Sequence, residues 1–326
     1  RFIREMLLMY ARMYPTLKTH PMATSVESSG RLFWQTLNET VWLVHAAQAY
    51  DCVYDWLTPH DRDVIENNVF KPMARSFTVD HAREHDRIHN HGTWMVAAVG
   101  MIGYVLHDQE LVRMALYGTK KDGSAGFIRQ LDLLFSPDGY YTEGPYYVRY
   151  ALMPFFLFAQ AIENNQPGLK IFEYRDRILK KAFSSMVQLT APSGTFIPIN
   201  DALKEMSIMA KEVVIALDIA YYRYGADTNL LPLASRQNRV MLNGAGGVVA
   251  RDLVLKGVPA ELVFRSTEFR DGPEGDDGAL GVLRTGSGKD ESLLLMKYAA
   301  QGMGHGHFDR LGFLFYENGK EIIQDY

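Results

Sequence analysis

The chain has almost no cysteine, no long apolar run and no excess of charge of one sign, and each lack narrows what it can be. Cys52 is the single cysteine, so an intrachain disulfide framework and a Cys-x-x-Cys zinc site are both excluded. One cysteine does not fix the compartment, since many periplasmic chains simply lack it. No stretch approaches the ~20 apolar residues that a membrane-spanning helix needs. Lys plus Arg number 34 and Asp plus Glu 38, a net charge of 34 − 38 = −4. That balance argues against a general attraction to nucleic acid or to an anionic membrane, so an anionic ligand would need a local cluster. Neither Gly-x-Gly-x-x-Gly nor a P-loop occurs to cradle a dinucleotide or a phosphate. With 47% hydrophobic and 22% charged residues, the chain is neither disordered, collagen-like nor of low complexity. Its 326 residues suit two domains or one large one. The chain opens at Arg1 rather than Met, and Glu321–Tyr326 reads as a strand with no closing turn. Both ends read as cut, so the missing signal peptide says nothing about secretion.

What is present changes character near residue 240. Apolar residues at Leu32, Phe33, Leu37, Val41, Val44 and Ala47 give Arg31–Trp56 a helical spacing. Thr58-Pro-His-Asp61 is a helix start, with a capping Thr, a first-turn Pro and an acid at the positive end. Further helices are expected over Gly92–Leu106, Glu110–Leu116, Gly126–Phe135, Tyr146–Glu163, Gly168–Leu189 and Leu203–Tyr224. From Gly244 onward short runs read as strands: Gly247–Ala250, Ala260–Ser266, Gly281–Thr285, Ser292–Tyr298 and Leu311–Tyr316. Helices first and strands afterwards predict two segregated domains, residues 1–238 and 239–326, rather than a βαβ sheet. Successive helical hairpins are compatible with an α/α toroid.

Four polar constellations could carry chemistry. The densest is His81–Trp94, which holds four of the ten histidines. Asn90 and His91 fall just before an apolar helix, where free N–H groups and the helix dipole favour an anion; a helix capped by Asn90, with histidines facing solvent, explains the composition equally well. His81-Ala-Arg-Glu-His85 also matches a zinc-protease pattern, but a solvated, charge-rich helix is the simpler reading. The second constellation, Asp138–Tyr150, packs five tyrosines with Glu143 and Arg149. Tyr146 and Tyr150 share a helical face with Tyr147 beside them; tyrosine faces stack on sugar rings, and a phenol can shuttle a proton. The third is Gly304-His-Gly-His-Phe-Asp-Arg310, where two histidines flanked by glycine are not a core pattern and, on an extended segment, point the same way. The fourth, Trp34, Gln35 and Asn38, forms one polar-aromatic helical face, a sugar subsite or a packed Trp with exposed amides.

Taken in order, Asn90-His-Gly-Thr-Trp94, the Tyr-rich segment and Gly304–Arg310 resemble the heparinase II/III-like polysaccharide lyases, a group that includes alginate and oligo-alginate lyases. The resemblance implies an α+β multidomain protein: an N-terminal α/α toroid followed by an antiparallel β-sandwich, the latter truncated here, with the active site in the cleft between them. It also implies β-elimination at a uronic acid. Asn90 and His91 map onto the pair that neutralises the uronate carboxylate, Tyr150 onto the catalytic tyrosine (with Tyr147 and Tyr146 close competitors) and His305 onto a substrate-facing histidine. Trp34, Gln35, Asn38, Trp94, Glu143, Tyr146, Tyr147 and Arg149 are the candidate substrate-binding residues. His307 maps onto a ligand of a structural divalent metal, zinc by preference, with Asp325 a second ligand and the third outside this chain. The expected partner is an anionic uronate polysaccharide or oligosaccharide, with no nucleic acid and no membrane span; the expected location, periplasmic or secreted, follows from the family alone.

The residue types suit that chemistry. A proton α to a carboxylate is too weakly acidic to leave unless donors such as Asn90 and His91 stabilise the enolate-like intermediate. Alginate stands first because the Asn-His-Gly-Thr-Trp stretch looks closest to the alginate-acting members; heparan sulfate, hyaluronan or chondroitin follow. A glycoside hydrolase on the same toroid would need two carboxylates about 5–9.5 Å apart, for which Asp138, Glu143 and Asp201 are candidates. A non-catalytic carbohydrate-binding protein would use the tyrosines only to stack.

Overall fold

The computed structural model describes residues 1–23, 29–258, 262–300 and 303–324, leaving aside the side chain of Lys289. The chain divides into two compact units, Arg1–Leu131 and Asp132–Tyr326.

The first unit is helical. Its centre is the helix Asn90–Val105, where nearly every side chain is buried. A helix apolar on all sides belongs inside a core, and this one packs against Thr36–Val53 and Gln109–Tyr117. The approach to the latter is close at Gly103, where a Cβ would lie 2.8 Å from the Val112 side chain and 2.9 Å from its backbone nitrogen. The predicted start at Thr58 is a full capping box: Thr58 and Asp61 each accept from the other's backbone N–H. Asp61 also pairs with Arg4 at 2.7 Å. Arg4 and the cap hold the Asp61 carboxyl well below its usual range. The first-unit helix expected over Arg31–Trp56 is shorter than its apolar spacing suggested. It runs from Thr36 to Val53, because Glu39 turns back to accept from the backbone N–H groups of Arg31 and Leu32 and holds that stretch as a loop.

The second unit begins with helices and ends in a sheet. The helix Pro145–Asn165 starts after Gly144, at φ 95°, with Pro at its first position. Tyr174–Gln188 and Lys211–Arg223 pack on it. The segment 203–210, expected to be helical, forms turns instead. A second correction is Gly247–Ala250, expected as a strand and found inside the helix Gly244–Leu255. Two adjacent valines after glycines look like a short strand, but Asn243 caps the helix by accepting from the Gly246 N–H at 3.0 Å. Val249 and Asp252 then face inward at helical spacing, and Tyr221 donates to Asp252 at 2.9 Å.

Five strands follow in an antiparallel meander: β1 Thr267–Arg270, β2 Ala279–Thr285, β3 Ser292–Lys297, β4 Phe313–Glu317 and β5 Lys320–Ile323, in that spatial order. The run expected at Ala260–Ser266 gives no strand in its described part, residues 262–266. The period-2 alternation is plain in β3, whose residues are alternately half-buried and buried. The inner face, with Leu280, Val282, Leu293, Leu295, Leu314 and Tyr316, packs on Tyr140, Leu189, Ile197 and Ile199. The outer face is apolar as well. Leu283 opposes Leu294, Leu294 opposes Phe315, and Phe315 opposes Ile323.

Candidate active site

In the first unit the polar cluster sits at the start of the buried helix Asn90–Val105. The cap is His89, not Asn90: its backbone is extended and its ring nitrogen faces the His91 N–H at 3.3 Å. Asn90 is therefore the first helical residue, and it is buried. His91 is half-buried, and the His89 and His91 rings meet edge to face at 5.1 Å. Gln130 clasps the segment from both sides, donating to the Arg87 carbonyl at 2.7 Å and accepting from Thr93 Oγ1 at 3.1 Å. Gly92 is required here because a Cβ would run into the Arg87 carbonyl. Trp94 is fully buried, a core residue of its helix.

Two first-unit readings change. Trp34 and Gln35 precede the helix that carries Asn38, so these three do not share one helical face; Trp34 and Asn38 are exposed and Gln35 half-buried, bridged to Ser29. The segment His81–His85 is not a solvated helix either. Glu84 and His85 are buried, and His85 Nδ1 lies 2.9 Å from Asp86, which also accepts from the Thr119 N–H. His81 stands ahead of the single turn Ala82–His85, so two ligands on one helical face are not formed.

In the second unit the structure gathers residues that lie far apart in the chain. The Tyr147 ring stacks on the His305 ring, with centroids 3.9 Å apart and planes 13° from parallel. Tyr146 meets Tyr147 edge to face at 5.0 Å. Arg149 lies over the Tyr146 ring at 4.9 Å and pairs with Glu212 at 3.2 Å, buried. Burial first, and then the charge of Asp201, pushes the Tyr147 phenol up to about 12. Tyr150 is also raised by burial, and the charge acting on it is that of Glu212 rather than Asp201. Glu143 is fully buried just before the helix Pro145–Asn165.

His305 ends a single turn, Met303–His305, and His307 follows it. The segment is not the extended one expected, yet both rings reach the same side chain. His305 Nδ1 is 3.2 Å from one Asp201 oxygen and His307 Nε2 is 3.0 Å from the other. Asp201 N–H donates to the His305 carbonyl at 3.0 Å. His307 first, and then His305, holds the Asp201 carboxyl below its ordinary value. Asp325 lies outside the described residues.

Asp201 is the residue that sequence reasoning valued too little. In sequence it reads only as a hydrolase carboxylate, and nothing in Ile-Asn-Asp-Ala signals that it will face histidines a hundred residues on. Asn200 and Lys297 carry no sequence signal beyond polarity, while Asp309 falls inside the Gly304–Arg310 motif. A second of the three hydrolase candidates, Asp138, is clamped by Arg270 through contacts of 2.9 and 3.1 Å. That guanidinium holds the carboxyl below its usual range, the wrong direction for a general acid.

The alginate lyase family profile matches residues 6–196, and a heparinase II/III-like C-terminal profile matches residues 268–326. An exo-oligoalginate lyase of Saccharophagus degradans is 52% identical over 325 residues, covering 100% of this chain and 44% of that one. An alginate lyase of Stenotrophomonas maltophilia is 51% identical over 326 residues, covering 100% of this chain and 43% of that one. The chain thus spans less than half the length of these curated relatives. Among solved structures, a heparinase III superposes with a TM-score of 0.60 at 16% identity, over 99% of this chain and 47% of that one. The heparan sulfate lyase HepC of Pedobacter heparinus gives 0.57 at 12%, over 98% and 44%. At those identities the likeness is one of fold. The profile match over more than half its length, together with two full-length alignments above 50% identity, places the chain in the alginate lyase family.

Proposed function

We propose that this chain belongs to a polysaccharide lyase that cleaves alginate or oligo-alginate by β-elimination. The observation that carries the reading is the Tyr147–His305 stack with Asp201 behind the imidazole. The names of the two curated relatives, an exo-oligoalginate lyase and an alginate lyase, support the substrate. In the elimination a base takes the C5 proton, the electron pair forms the C4=C5 double bond, the C4–O bond breaks, and the departing oxygen receives a proton. A phenol at about 12 is ionised in only about one molecule in 10⁵ at pH 7, so Tyr147 suits the proton donor and not the base. His305 suits the base. Asp201 at its Nδ1 would orient the ring and stabilise the imidazolium that forms. Tyr147 thereby displaces Tyr150 as the preferred catalytic tyrosine. Asn90 and His91 keep their proposed role, donating to the uronate carboxylate as charge moves onto it.

His307 and Asp325 remain the proposed ligands of a structural divalent ion, zinc by preference. The fit at His307 is chemical: a carboxylate against one ring nitrogen is the ordinary companion of a metal-bound histidine, and Asp201 supplies it. The ion would fasten the His305–His307 loop. The helical part, residues 1–238, is read as belonging to an α/α toroid and the strands as the start of a β-sandwich. The apolar outer face of the sheet supports that reading, since such a face is stable only when covered. A periplasmic or secreted location follows from where polymeric uronates are met.

Incubation with alginate, heparan sulfate, hyaluronan and chondroitin separately tests the proposal. Ultraviolet absorbance of an unsaturated uronate should rise with alginate. A rise with a glycosaminoglycan alone would move the substrate. New reducing ends without absorbance would replace the lyase by a hydrolase.

A further inference from the structure

Lys297 is 1% exposed, an environment that lysine enters only when paired. It ends β3, and its ammonium meets three acceptors: Asn200 Oδ1 at 2.6 Å, Asp309 Oδ1 at 2.5 Å and the His307 carbonyl at 3.3 Å. The main chain is fastened at the same point, with Lys297 N–H donating to Gly312 at 2.9 Å and Leu311 N–H donating to Lys297 at 2.7 Å. The three acceptors lie in the two segments whose groups meet at Asp201. Asn200 precedes it, His307 bonds it, and Asp309 ends the loop that carries both histidines. Asn200 also stands at φ 60°, in the left-handed region that residues other than glycine hold only when their surroundings fix them. Its amide reaches the Glu143 carbonyl at 3.4 Å, so the turn is pinned at both ends of one side chain.

We infer that Lys297 is a positioning residue: it fastens the Asn200–Asp201 turn and the His305–Asp309 loop to one strand end, and so fixes Asp201 between the two imidazoles. The effect on turnover rests on the lyase reading above; the effect on the histidines does not. A buried ammonium needs an acceptor for each of its three N–H groups, and here the acceptors come from both segments. One donor goes to the Asn200–Asp201 turn and two go to the His305–Asp309 loop. Asp201 is half-exposed, and the turn and the loop whose groups meet at it are both tied to Lys297.

The test uses the protein at its natural full length. Lys297→Met combined with Asp309→Asn removes both charges together, because a lone buried charge would unfold the site and obscure the result. A melting curve checks that the double variant is folded. Turnover of oligo-alginate should then fall about 10²-fold in kcat with KM within about threefold, the cost of misplacing a reacting group by about 1 Å. A folded double variant with kcat within about threefold of the wild type, or a loss confined to KM, would overturn the inference. Should the double variant fail to fold, Asn200→Ala leaves the Lys297–Asp309 pair intact; it should stay folded with a lowered melting midpoint, because Ala is strained at φ 60° and one ammonium N–H loses its acceptor, and should lower kcat about tenfold with KM little changed, whereas an unchanged kcat would overturn the inference. The ring-nitrogen NMR signals of His305 and His307 decide the matter apart from activity. They should shift in whichever variant folds, and unshifted signals would overturn the inference. Wild-type protein inert on every uronate, with shifted ring signals in the variants, would sink the lyase reading and leave Lys297 as the anchor of the histidines.

Discussion

Tyr147→Phe separates the chemistry of the site from its architecture. The substitution removes one hydroxyl and keeps the ring that lies 3.9 Å from His305. The stack should survive, and the half-buried phenol loses its desolvated oxygen. The stability change should stay within about 1 kcal/mol, the net worth of one hydrogen bond. Turnover should respond differently. If Tyr147 donates the proton to the departing oxygen, its loss should lower kcat by about 10²–10⁴-fold, the usual range for a positioned general acid. KM should move little, because the stacking surface is intact. Tyr150→Phe is the matched control: the same atom is lost three residues on, where the acidic charge raising the phenol is that of Glu212 rather than Asp201. Its kcat should fall by less than about tenfold. The assay is initial rate on purified oligo-alginates, read by ultraviolet absorbance, alongside a melting curve for each variant. Activity abolished in Tyr150→Phe and retained in Tyr147→Phe would refute the assignment.

Three further outcomes follow from particular residues. Asp218 is buried and its carboxyl is raised to about 6 by that burial. An acid raised on folding adds stability below its unfolded pKa and loses it as pH rises through the folded one, so the stability of Asp218→Asn relative to wild type should climb by up to about 3 kcal/mol between pH 4 and pH 8; a flat difference in denaturant midpoints would contradict the burial argument. Gly103→Ala should destabilise the first unit by about 1–3 kcal/mol, because the added methyl meets the Val112 backbone at 2.9 Å, and thermal melting checks this. Dialysis of the natural full-length protein against a chelator should lower its melting temperature and release one equivalent of a divalent ion if His307 is a ligand; no ion and no change would remove the metal from the account.

Much of the fold was legible where the signal is local. Thr58 and Asp61 announced a helix start because the cap and the first-turn acid lie within one turn. Strands β2, β3 and β4 were legible as short runs between glycine and aspartate turns, whereas β1, Thr267–Arg270, follows the run at 260–266 that was expected in its place. Local signals failed where a distant or reversed contact decided the outcome. Glu39 holds 31–35 out of the helix by capturing backbone N–H groups behind it, and Asn243 turns a strand-like valine run into a helix. The site shows the same limit. Histidine and tyrosine clusters mark it by composition, but the choice of Tyr147 over Tyr150 depends on which ring meets His305. Asp201 and Lys297 become visible only when the 200–201 turn, the end of β3 and the 305–309 loop are brought together.

The central claim is elimination rather than hydrolysis, and mass balance tests it most directly. A defined oligo-alginate digested to completion should give products whose masses sum to that of the substrate, with one C4=C5 double bond formed for each bond cleaved. Products that together exceed the substrate by one water for each bond cleaved would contradict the account.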